Sequence, residues 1–166
     1  MAEAAPTNQF LARGGAWVVV QFALMIAVIL LGLVFPGDWT RWSVIVAGLV
    51  LLTAGGWFGI AGVKLLGRNR TPFPQPRDDS KLVQDGIYAR VRHPLYTSVM
   101  LVSVGWALIW QSWPAGIPAL ALIPFFHAKA RLEERWLREK FPGYAAYEKR
   151  VPRFLPRMGA QASSSN

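Results

Sequence analysis

The sequence predicts an all-α integral membrane protein with four transmembrane segments, the last two a tight helical hairpin, followed by a cytoplasmic C-terminal helical segment. Three observations predict it. The 166 residues are 53% hydrophobic and only 16% charged, with a mean hydropathy of +0.28, whereas soluble domains carry roughly 25% charged residues. Uncharged runs long enough to cross a bilayer recur along the chain. The basic residues, 18 Lys and Arg against 9 Asp and Glu, fall between those runs and not within them.

The elements follow in order. Residues 16–35 (AWVVVQFALMIAVILLGLVF) hold no charge and give the first span. The run is longer than a signal-peptide core, and no small-x-small cleavage site follows it before Pro36. A second uncharged run begins at Ser43 and reaches Lys64, giving a span over 43–64. The third stretch, Pro94 to Phe126, is too long for one span and is broken at Trp113-Pro114-Ala115-Gly116, read as the tip of a hairpin. Spans over about 94–112 and 115–134 result. With a rise of about 1.5 Å per residue, Lys129 to Glu134 lie roughly 21 to 29 Å from that tip, at the opposite membrane edge. Residues 1–15 are expected to form a flexible N-terminus and 158–166 a disordered tail, leaving 16–157 as one domain.

Charge sets the orientation. Seven basic residues lie from Lys64 to Arg92 and nine from Lys129 to Arg157, so the positive-inside rule puts both termini and the central loop in the cytoplasm. Trp39, Trp42, Trp110 and Trp113 fall at the expected outer boundary and Trp17 at the inner one, the depth that indoles favour. A prokaryotic inner (cell) membrane is the expected setting. The same partition argues against nucleic acid as the partner of the basic residues, because they follow topology.

Other classes are excluded by composition. The absence of cysteine removes disulfides, a thiol nucleophile and cysteine-ligated metals, and two histidines are too few for the usual zinc triads. No metal is expected. A transporter or channel should show ionisable groups within its spans or an internal repeat, and spans one to three have no charged residue.

Two polar clusters remain, one on each side of the hairpin. The first, LVQDGIYARVRHPLYTS over residues 82–98, contains a turn glycine at Gly86 and a proline suited to a helix start at Pro94, with His93 beside it. Its backbone N–H groups and aromatic faces suit a polar, anionic or heterocyclic ligand. The second, residues 129–156, reads in its simplest form as an amphipathic helix on anionic lipid, with Glu134 and Arg138 paired at i, i+4. That form accounts poorly for Glu133 and Glu134, since adjacent carboxylates at an inner interface are costly. Lys129 and Glu133 share a helical face and offer a cation and a carboxylate together.

Taken together, Gly86-x-Tyr88, Arg92-His93-Pro94-x-Tyr96, then Glu133-Glu134-x-x-Leu137, Phe141, Tyr144, Tyr147 and Val151-Pro152 resemble the isoprenylcysteine carboxyl methyltransferase family. The phospholipid N-methyltransferases share the pattern more loosely. The resemblance covers about residues 80–156. It implies a membrane methyltransferase with S-adenosyl-L-methionine as donor, bound at the cytoplasmic face. By position it implies a cofactor site of Ser80, Lys81, Leu82, Val83, Tyr88, His93, Pro94, Leu95, Tyr96 and Glu133. It also implies candidate catalytic residues Lys129, Glu133 and His93, with Lys129 orienting the acceptor and Arg131 as a substitute for it. The expected partners are the lipid bilayer and a lipidic or isoprenoid small-molecule acceptor.

Departures from the family pattern bear on the acceptor. Lys129 stands where arginine is common, which keeps the charge and loses a planar two-pronged grip on a carboxylate. Ser98 stands where many relatives have glycine, a change expected to narrow the cofactor pocket. The acceptor therefore stays open between an isoprenylcysteine-like carboxylate and a phospholipid or other lipid amine. A non-enzymatic membrane module, which would bind no cofactor, and an NADPH-dependent membrane reductase are the competing classes. Small residues at Gly55, Gly56, Gly59 and Gly62 favour close helix packing, within one chain or between two; the oligomeric state is not readable.

Overall fold

The computed structural model describes residues 10–156; residues 1–9 and 157–166, which include Arg157 and the expected tail, lie outside the described residues. Among the described residues the main α-helices are α1 (Gly15–Val34), α2 (Trp42–Leu66), α3 (Pro94–Ile109), α4 (Trp113–Lys140) and α5 (Tyr144–Arg150), with 3-10 turns at Gly67–Asn69 and Gly86–Ala89. No strand occurs among the described residues. Gly15–Val34 and Trp42–Asn69 are long and apolar enough to cross a membrane, and α3 is a shorter apolar helix.

The first two helices turn most of their side chains outward, with only Gly15, Val28 and Gly32 of α1 buried. That is the distribution a bilayer stabilises. Their inner faces are built from small residues. Gly48 and Gly105 meet so closely that a Cβ on either would stand 2.8 Å from the other's carbonyl oxygen, and Gly55 lies against Ser98 and Val102. Gly59 and Gly62 continue this face against Ser98, Leu95 and Pro94, whereas Gly56 meets nothing within 4 Å. The small-residue seam is thus used within the chain, clamping α2 to α3 by backbone approach.

The hairpin turn lies earlier than the sequence implies. Helix α3 ends at Ile109 and α4 already begins at Trp113, so Trp113-Pro114-Ala115-Gly116 is the first turn of a helix and not the tip. Ser112 is the reason: its Oγ accepts from the Ala115 N–H at 3.4 Å, and a proline in the first turn lacks only an N–H that would be unpaired anyway. Gln111 makes the reversal with φ 49°. Helix α4 then runs for 28 residues, through Pro118 and Pro124, a length of about 42 Å. It therefore outruns a hydrocarbon core of about 30 Å. Leu122, Phe126 and Ala130 form its buried stripe against α1 and α3, with Val28 and Ala107.

At the hairpin end of the bundle, Gly37 N–H donates to the Trp110 carbonyl at 2.9 Å, Trp39 packs edge-on to Trp110, and Trp42 and Trp113 are exposed. The opposite end carries the basic loops. There the chain after α5 does not lie flat as an amphipathic surface segment. Residues 152–154 return to the start of α3 as an extended strap, where Arg92 N–H donates to the Pro152 carbonyl at 2.9 Å and His93 N–H to that of Arg153 at 3.0 Å. Thr97 Oγ1 donates to the Phe154 carbonyl at 2.9 Å.

Candidate active site

The start of α3 sets the site. Gly86 has φ 57°, a conformation that favours glycine, and opens the 3-10 turn that buries Ile87 and Tyr88 against Phe58, Ala61 and Leu66. Four residues on, the chain enters α3 at Pro94, with His93 as the preceding cap residue. One turn into the helix, Tyr96 stacks on His93 with ring centroids 5.2 Å apart and planes 1° from parallel, and on Phe126 at 4.6 Å.

The two adjacent carboxylates of α4 have different tasks. Glu134 is fully buried and serves as a hub. Its oxygens accept from Arg153 Nε at 3.0 Å and Nη2 at 2.6 Å, and they contact Arg92 Nη2 at 3.3 Å and His93 Nε2 at 3.0 Å. This replaces the expected Glu134–Arg138 pair: Arg138 instead forks onto Glu148 at 2.8 and 3.2 Å. Glu133, about 100° further round the helix, is one-quarter exposed and accepts from the Tyr96 hydroxyl at 2.6 Å through Oε2. Among the described residues no hydrogen bond or ion pair reaches its Oε1.

A carboxylate only accepts, so His93 Nε2 donates to Glu134, and Nδ1 lies 3.8 Å from Glu133 Oε2. His93 is held on three sides, by Glu134, by the Tyr96 ring and by Phe154 of the strap.

One cavity, of about 120 Å³, is lined by Ser80, Lys81, Leu82, Val83, Tyr88, His93, Pro94, Leu95, Tyr96 and Glu133. Every cofactor-site residue expected from the sequence is on that wall. The 80–83 stretch is held over it by two ties. Asn69 brackets Lys81, accepting from its N–H at 3.2 Å, and Lys140 Nζ donates to the Asp78 carbonyl at 2.9 Å and Ser80 Oγ at 3.0 Å, as well as to the Arg77 carbonyl.

The remaining expected residues lie elsewhere. Lys129 is fully buried and outside the cavity lining; its ammonium donates to Gln21 Oε1 of α1 at 2.5 Å and to the Pro72 carbonyl at 2.8 Å, and it faces the Tyr96 ring at 5.5 Å. Arg131 is exposed on α4. Ser98 faces α2 and does not line the cavity. Conversely, Arg92, Leu137, Phe141, Tyr144 and Tyr147 line it without having been singled out as site residues, although all belong to the motif pattern. Tyr147 is fixed by donating to the Tyr88 carbonyl at 2.6 Å. Burial pushes the Tyr88, Tyr144 and Tyr147 phenols above their usual range, so all three are neutral at physiological pH.

Comparison with known proteins places this chain in a family. Residues 43–143 match the family model for phospholipid methyltransferases. The cobalt-zinc-cadmium resistance protein CzcN of Cupriavidus metallidurans is 33% identical over 92% of this chain and 68% of its own length. Protein-S-isoprenylcysteine O-methyltransferase B of Arabidopsis thaliana is 30% identical over 74% of this chain and 64% of its own. Among solved structures, a eukaryotic intramembrane Ras methyltransferase, isoprenylcysteine carboxyl methyltransferase, superposes with a TM-score of 0.66 at 22% identity over 86% of this chain. The chain spans about half of that protein, 53% of its length, and the likeness is one of fold. With its span helices, its paired motif clusters and these matches, the chain belongs to the family of membrane methyltransferases that includes the isoprenylcysteine carboxyl methyltransferases and the phospholipid methyltransferases.

Proposed function

We propose that the protein is an S-adenosyl-L-methionine-dependent methyltransferase acting on a membrane-embedded lipidic or isoprenoid acceptor. The observation that carries this reading is the convergence of residues 80–83, Tyr88, His93, Tyr96 and Glu133 on one cavity.

The residues fit such a donor. A sulfonium and an adenine both suit aromatic walls, and Tyr88, Tyr96, Phe141, Tyr144 and Tyr147 supply them. Glu133 presents an unpaired carboxylate oxygen to a cationic group, and the buried Tyr144 hydroxyl lacks a partner. When bound, S-adenosyl-L-methionine supplies a methyl group activated on sulfur for in-line displacement. The protein's part is to align donor and acceptor and to exclude water. Tyr96, locked between His93 and Phe126, fixes the Glu133 carboxylate.

The acceptor head group approaches on the α1 side of Tyr96, where Lys129 would exchange Gln21 for an acceptor carboxylate of the isoprenylcysteine kind. A lipid amine is the second reading, favoured by the placement of Glu133 and His93 on the cavity wall: an ammonium must lose a proton before it attacks, whereas a carboxylate need not. The resistance name of the Cupriavidus relative describes no chemistry and is compatible with either. Four spans, with α3 and α4 completing the bundle in a bacterial inner membrane and the cavity facing the cytoplasm, complete the proposal. The polar donor would then enter from water and the acceptor laterally from lipid.

The test is transfer of tritium from methyl-labelled S-adenosyl-L-methionine into the organic-soluble fraction of membranes containing the protein. Label that appears with the unchanged protein and is lost with Glu133→Gln supports the reading. No transfer above protein-free membranes, with a folded sample, opposes it.

A further inference from the structure

The cavity has an inner end that the expected site residues do not explain. Tyr144 is 1% exposed, and its hydroxyl has no hydrogen-bond partner. Arg92, whose side chain is 7% exposed, faces Glu134 with Nη2 and Glu148 with Nη1 at 2.9 Å, but its Nε–H is also without a partner. Both residues line the cavity. An unpaired buried donor is expensive, and buried polar side chains are nearly always satisfied. The neighbouring tyrosine shows the ordinary outcome, because the Tyr147 hydroxyl is bonded to the Tyr88 carbonyl at 2.6 Å.

The two orphaned groups share a chemistry. A guanidinium N–H can only donate, and a phenol held neutral can donate at no electrostatic cost. Two donors, one of them cationic, ask for an anionic acceptor with two oxygens. Both residues line the cavity, the side from which a partner for these atoms would come. Glu133 lines the same cavity and offers the opposite sign. A buried cation, a hydroxyl and a carboxylate around one cavity are the complement of an amino-acid zwitterion.

We propose that Tyr144 Oη and Arg92 Nε form a carboxylate subsite, which anchors the amino-acid end of the methyl donor and sets its orientation in the cavity. This rests on the methyltransferase reading and deepens it: the donor's carboxylate docks at Tyr144 and Arg92, and its sulfur lies toward Tyr96 and Glu133.

The experiment is calorimetric titration of the detergent-purified full chain with S-adenosylhomocysteine and with its decarboxylated analogue, which keeps the amine, sulfur and adenosine. Tyr144→Phe should weaken S-adenosylhomocysteine by about tenfold or more, as expected for loss of a hydrogen bond to a charged group, and leave the analogue within twofold. Arg92→Lys, which keeps the charge but loses the Nε–H, should show the same selectivity, and near-ultraviolet circular dichroism confirms that each variant is folded. Tyr144→Phe binding both ligands as the unchanged protein does, or losing both equally, overturns the subsite and leaves the methyltransferase reading standing. If the unchanged protein binds neither ligand, that reading falls and the subsite with it.

Discussion

Arg153 grips both oxygens of Glu134, at 3.0 and 2.6 Å, across 19 residues of sequence. This pair fixes the strap behind the site: with Arg153 held, the backbone of residues 152–153 pairs with Arg92 and His93, and the strap's Phe154 lies against the His93 ring. Glu134 thus holds the site together, and Glu133, its neighbour, lines the cavity.

The two carboxylates should separate in experiment. Glu134→Gln leaves Arg92 and Arg153 facing a neutral group in a buried setting, and breaking such a network costs about 3 kcal/mol or more. Glu133→Gln keeps most of the Tyr96 contact and should cost less than about 1 kcal/mol, while ligand binding is lost. Thermal unfolding in detergent, paired with a binding titration, measures both; equal destabilisation by the two changes would remove the division of tasks.

Lys129 should act on the acceptor side alone. Lys129→Met leaves Gln21 Oε1 and the Pro72 carbonyl without their donor, at a cost of about 1 to 3 kcal/mol. Because Lys129 does not line the cavity, donor affinity should stay within about twofold while methyl transfer falls. Lys129→Arg should restore stability only in part, since the larger planar guanidinium must fit a fully buried position. Loss of donor affinity in step with transfer would place Lys129 in the donor site instead.

Acid should loosen the packing of α5. The Arg138 hydrogen bond, followed by Arg92, holds the Glu148 carboxyl below its ordinary value of 4.5 against a smaller opposing effect of burial. Its folded-state value lies below the unfolded one, so its contribution is complete above about pH 4.5 and is lost as pH falls through the folded-state value. Thermal stability scanned from pH 6 to pH 3 should fall less steeply in Glu148→Gln than in the unchanged protein. Parallel curves would show that the pair contributes nothing.

Topology is testable without background, because the chain has no cysteine. Arg68 and Thr40 are both exposed and lie at opposite ends of the bundle. In intact bacterial cells an impermeant maleimide should label Thr40→Cys and spare Arg68→Cys until the membrane is opened. The reverse pattern would invert the orientation drawn from the basic loops.

Much of this was legible in the sequence, for local reasons. Apolar run length marks α1 and α2, and the helix-start chemistry of His93-Pro94 marks α3, because each depends on neighbours in the chain. The wall from Ser80 to Tyr96 was legible through its motif pattern. The hairpin turn was misplaced by three residues, since Trp-Pro-Ala-Gly has turn composition but Ser112 caps a helix across it. Other features depend on distant partners. Nothing near Lys129 points to Gln21, 108 residues earlier, and nothing near Arg92 points to the backbone of Pro152. Which of two adjacent glutamates faces inward depends on the rotation of α4, which packing against α1 and α3 decides. Ser98 faces α2 because a run of glycines there admits it, a fact visible only once the helices are paired.

The central claim is that the cavity binds a methyl donor, and equilibrium binding of S-adenosyl-L-methionine to the purified full chain tests it most directly, with NADPH and the Glu133→Gln variant as controls. The account predicts saturable binding, competed by S-adenosylhomocysteine, absent for NADPH and lost in the variant. A folded sample that binds NADPH in its place, or neither compound, would contradict it.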